Sequence, residues 1–101
     1  MPMDLSELQQ RVQTWRWSRE RLNVDLDLCA IEHAAMVIAE EAGEVLACIS
    51  KSEKEHLPEE LADVVIAVAD VANLVHVDLE QEIQKKLDKL EARTGLRHRR
   101  G

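Results

Sequence analysis

At 101 residues the chain is short enough for a single domain. Apolar residues make up 46% of it, with two Trp as the only aromatics, which suits a core of Leu, Val, Ile, Ala and Met packed between helices. Thirteen basic and twenty acidic residues give a formal charge of −7, which excludes a general nucleic-acid binder, since that needs a basic face to displace counterions from phosphates.

The first predicted helix starts at Asp4, where Asp4 and Glu7 have capping-box spacing, and runs to about Leu22. Its apolar stripe, Leu5, Leu8, Val12 and Trp15, has helical period and places Trp15 in the core, with stacking on a base as the alternative. Trp17 falls off that stripe and is a candidate for stacking on a base or for an interface. Asn23-Val24-Asp25 makes a break, and Asp25 or Asp27 caps the next helix, Asp27 to Ile49. That helix is apolar over most of its circumference, which predicts packing on several sides and a structural, hydrogen-bonded His33.

Ser50 to His56 is polar and reads as a loop, with His56 in solvent. Pro58 fits the first turn of a third helix, where its missing N–H costs nothing, and that helix continues to about Val75. Its Val-rich run from Leu61 to Ala72 is too long for an ordinary strand and carries no turn signal. His76 is solvated beyond it, and Asp78 with Gln81 caps a fourth helix that ends near Arg93, before Thr94-Gly95. The expected fold is all-α and four-helix bundle-like, one domain over residues 1–96 with a basic, flexible tail over 97–101.

No basic segment followed by an apolar stretch opens the chain, and no run of about 18 apolar residues occurs, so neither a secretory signal nor a membrane span is predicted. Cys29 and Cys48 share one predicted helix and stand roughly 28 Å apart along it, too far to pair, so free thiols and a cytoplasmic location are expected.

The two most apolar helices carry acids. Glu41 and Glu44 lie three apart on one face, as do Glu60 and Asp63 on the next helix, and two such pairs on antiparallel neighbours gather four carboxylates around one point. Four carboxylates in an apolar bundle either take up protons or require a cation. Oxygen-only ligands favour a hard ion, Mg²⁺ with Mn²⁺ as a substitute, and magnesium completes its shell with water and substrate phosphates. An ordinary solvated acidic face is the competing explanation, and Asp63, followed directly by Val64, Val65 and Ile66, fits it least.

Glu40-Glu41-Ala42-Gly43-Glu44, followed after fifteen residues by Glu60-Leu61-Ala62-Asp63, is similar to the EExxE…ExxD signature of the MazG-like nucleotide pyrophosphohydrolases. The resemblance covers about residues 30 to 93 and extends to His76-Val77-Asp78-Leu79-Glu80 and the spacing of Lys86 and Lys89. It implies an all-α enzyme, assembled as a homodimer or homotetramer, that cleaves nucleoside triphosphates, often deoxynucleotides, to monophosphate and pyrophosphate. It also implies Glu41, Glu44, Glu60 and Asp63 as metal ligands, Glu40 as orienter or base for the attacking water, and Lys86 and Lys89 as phosphate contacts. Leu90 stands where many members carry Asn after the second lysine.

The reaction so implied is in-line attack of water on the α-phosphorus, with the triphosphate fixed by magnesium. The nearest rival is a phosphoribosyl-ATP pyrophosphohydrolase of histidine synthesis, which has a similar acidic pattern. A dimeric dUTPase of the same superfamily is a further rival, though the chain is short for one. Di-iron carboxylate proteins need Glu-x-x-His on two helices, and here that spacing occurs only at Glu53 and His56 in the loop. A non-catalytic helical oligomerisation module would leave the acids in solvent and indifferent to magnesium.

Overall fold

The structure is a computed structural model that describes residues 2–20 and 28–95, with the side chains of 17–20 and 28–29 outside the description. The predicted break at 23–25, the caps Asp25 and Asp27, the side chains of Trp17 and Cys29, and the tail over 97–101 therefore lie outside the described residues. Four α-helices follow in order: α1 Leu5–Glu20, α2 Leu28–Ser50, α3 Leu57–Leu74 and α4 Leu79–Arg93. No strand occurs among the described residues, so the Val-rich run is helical. The loop between α2 and α3 contains one 3-10 turn, Lys54–His56.

The helix ends follow from local chemistry. Asp4 Oδ1 accepts from the Glu7 backbone N–H at 2.8 Å and opens α1, and Asp78 Oδ1 accepts from that of Gln81 at 3.2 Å and opens α4. Pro58 sits in the first turn of α3. α2 and α3 both end in a Schellman-type turn whose left-handed residue is not glycine. After α2, Ser52 at φ 59° bonds back to Ile49 and Glu53 to Cys48; after α3, His76 at φ 59° bonds to Asn73 and Val77 to Ala72. Gly95, at φ 81°, takes the same role after α4 without the steric cost.

α2 packs along α3, α1 lies on α3, and α4 touches α1. The buried residues are small: Val12, Ala34, Cys48, Ala67, Ala69 and Ala72. Alanines at these positions let the helices approach closely, and among the described residues no large side chain is fully enclosed. Gln9 fastens α1 to the α3–α4 junction. Its amide donates to Asn73 Oδ1 and the Val77 carbonyl, its Oε1 accepts from the Leu79 N–H at 2.9 Å, and Asn73 donates to its backbone carbonyl.

Among the described residues of one chain, α2 packs on α3 and leaves Met36, Leu46 and Ile49 exposed at 62%, 65% and 58%. Two expectations are corrected here. His33 is exposed rather than a buried structural histidine. Trp15 is not core: α1 meets α3 with Val12 buried at the contact, and the indole, three residues on, stays at the rim, 48% exposed. His56 and His76 are exposed, as the sequence suggests.

Candidate functional site

Helical periodicity on α2 places His33, Val37 and Glu41 on one face, at steps of four, and on α3 it places Asp63, Ile66, Ala67 and Asp70 together. These two faces and α1 enclose a cleft of about 370 Å³ that also has Trp15 and Arg16 in its wall. At its acidic end, one carboxylate oxygen each from Glu41, Glu60 and Asp63 lies within 4.8 Å of the others, and all three residues are half-buried. Glu60 stands in the first turn of α3, just after Pro58, and Asp63 follows three residues on.

Burial pushes the Glu41 carboxyl above the ordinary value, and the negative charges of Asp63, Glu44 and Glu40 push it further. Burial raises Glu60 likewise, with Asp63, Glu44, Glu41 and Glu59 adding to the effect. Such a group is strained as an anion and relieved by a proton or a cation. The donors are all carboxylate oxygens, which suits a hard divalent ion. With their oxygens this close, the three carboxylates could jointly hold such an ion after their side chains draw in.

Of the four acids expected to meet, Glu44 is outside the trio: it is exposed on α2, close enough for its charge to act on both Glu41 and Glu60. Glu40 is exposed beside Glu41 and acts on it the same way. Lys86 and Lys89 are exposed on α4, and neither borders the clefts that reach Asp63. Nothing is described of the Trp17 side chain.

The sequence reading missed the ion pair of Arg16 with Asp70, which joins α1 to α3 at the far end of the same cleft. Asp70 lies two turns beyond Asp63 on the same face of α3. The one available signal was an arginine on a helix otherwise free to choose its neighbour. Cys48 is a free, buried thiol that donates to the Glu53 carbonyl, and burial followed by the charge of Glu53 raises its pKa.

Residues 30–98 match the family model of the MazG nucleotide pyrophosphohydrolase domain. The chain belongs to the MazG family. The matched span holds both acid pairs, α2 from Ala30 on, α3 and α4, so the carboxylate trio sits within the family domain. No curated protein and no solved structure matches the chain. Membership makes it a nucleotide pyrophosphohydrolase in general terms. Among the described residues no helix is long and apolar enough to cross a membrane.

Proposed function

We propose that this MazG-family chain is a Mg²⁺-dependent nucleoside triphosphate pyrophosphohydrolase that converts deoxynucleoside triphosphates and water to the monophosphate and pyrophosphate. The observation that carries the reading is the convergence of Glu41, Glu60 and Asp63 from two helices inside the family domain. These three, with Glu44 one turn along α2, would hold magnesium or manganese. The ion supplies charge neutralisation for the triphosphate and fixes it for in-line attack. Glu40, adjacent to the trio and exposed, orients the attacking water and takes its proton. Lys86 and Lys89 bind phosphate oxygens, and Trp17 is a candidate for stacking on the base.

The active form is a homodimer or homotetramer in the cytoplasm. Met36, Leu46 and Ile49 on α2 and Leu61 and Val65 on α3 are large apolar side chains left exposed in one chain, as expected where a partner copy covers them. Lys86 and Lys89 do not line the clefts that reach Asp63 in their own chain, which suits delivery to a second copy's site. The free thiol of Cys48 accords with a reducing compartment.

The test is incubation with each common nucleoside triphosphate, and with phosphoribosyl-ATP, in magnesium and in EDTA, followed by product identification. Monophosphate and pyrophosphate, formed only with metal, are expected. Diphosphate plus phosphate would overturn the assigned bond. Turnover of phosphoribosyl-ATP alone would move the activity to histidine synthesis, and no turnover of any substrate would favour a helical binding module.

A further inference from the structure

A second cleft, of about 490 Å³, lies between α1 and α3 and shares Trp15, Asp63 and Ile66 with the cleft that reaches Glu41. Its volume falls within the roughly 300–1,000 Å³ usual for small-molecule sites. Leu8, Val12 and Ile66 make its floor apolar, and Arg11 supplies the cation. Arg11 and Trp15 are four residues apart on α1, hence on one face and about 6 Å apart along the axis.

The exposed indole is carried on an anchored helix. α1 is held before it by Gln9, bonded to Asn73, Val77 and Leu79, and directly after it by the Arg16–Asp70 pair. The Arg11 guanidinium touches Met3 Sδ at 3.5 Å, a weak contact that a better acceptor displaces.

We propose that this cleft is the nucleobase subsite of the enzyme. The inference rests on the hydrolase reading above and adds where the base lies and what recognises it. The base stacks on Trp15, since every base offers a π-face to an aromatic ring. Arg11, which has donors and no acceptor, addresses the carbonyl and ring-nitrogen edge of the base. Asp63 borders both clefts, so a nucleotide with its base on Trp15 runs its phosphates toward the Glu41, Glu60 and Asp63 trio without leaving a continuous surface. Trp15 and Arg11 are thereby specificity-determining residues.

Single-tryptophan variants test this through intrinsic fluorescence. With W17F, where Trp15 alone reports, a nucleoside triphosphate is expected to quench emission while inorganic tripolyphosphate does not. With W15F, where Trp17 alone reports, the nucleotide is expected to change little. W15A, a substitution at an exposed position, is expected to raise KM about tenfold or more with kcat nearly unchanged, since stacking energy is present in ground and transition states alike. R11M should raise KM unequally among the bases. Equal quenching of Trp15 by tripolyphosphate would overturn the subsite and place phosphates in the cleft. So would quenching confined to Trp17, or an unchanged KM in an active W15A enzyme. Base-dependent quenching of Trp15 without any turnover would support the subsite and remove the hydrolase reading, so the two failures are separable.

Discussion

Replacing Glu60 by Gln sets two effects of opposite sign against each other. Without metal, the folded chain holds Glu60 and Glu41 with raised pKa values, through burial first and then neighbouring carboxylates. A raised acid pKa favours the folded state fully only below the unfolded value, about 4.5, and that contribution is lost as pH rises through the folded value. At neutral pH the metal-free cluster therefore opposes folding, and E60Q, isosteric and uncharged, should melt higher than the unaltered protein. Magnesium reverses the order. With the ion at a hundredfold excess over its dissociation constant, mass action should raise the unaltered melting temperature by about 10–20 °C for a chain of 101 residues. E60Q supplies two of the three charged ligands of the trio. If its affinity is about a hundredfold lower, the same magnesium concentration raises its melting temperature by only about 2–3 °C. The assay is thermal unfolding followed by circular dichroism, with magnesium and with EDTA, on both proteins. Identical shifts in the two, or a melting curve of the unaltered protein that ignores magnesium, would refute the reasoning.

Asp63→Asn should lower kcat/KM by on the order of 100-fold or more while leaving the far-ultraviolet spectrum unchanged, because it removes a ligand charge but little volume; steady-state kinetics reads it. Asp70→Asn weakens the docking of α1 on α3 at a half-buried charged contact and should cost about 1–3 kcal/mol in urea unfolding. Leu46→Glu with Ile49→Glu places charges on the open α2 face and should shift the assembly toward monomer in sedimentation velocity, with the helical content kept. His76→Gly relieves a left-handed conformation after α3 and should add about 1 kcal/mol to stability, read from the urea midpoint.

The raised acids also set a pH dependence. Ligation needs carboxylates, so magnesium affinity should fall with decreasing pH from a point above the ordinary carboxylate range, where Glu41 and Glu60 first take up protons. Metal-free stability runs the opposite way over that interval, and a pair of melting series across acidic pH, with and without magnesium, separates them.

By itself the sequence determined the four helices, the caps of α1 and α4 and the acid pairs. Asp4 and Asp78 cap through bonds three residues long, Pro58 opens α3, and Glu41–Glu44 and Glu60–Asp63 share faces, all through interactions closed within about one turn. The spacing of those pairs also resembles the MazG signature, and the family match supports that identification. Only the tertiary structure decided how each helix is rotated against its neighbours. One residue turns a helix by about 100°, so a small change in helix rotation exchanges core for rim without altering the periodic pattern. This is why Trp15, on the same stripe as buried Val12, emerges at a cleft, and why Glu41 joins Glu60 and Asp63 while Glu44 stays outside the trio. The Gln9 clamp and the Arg16–Asp70 pair span 64 and 54 positions of sequence. Such partners are set by packing of apolar faces that many rotations satisfy, and only the assembled bundle selects one.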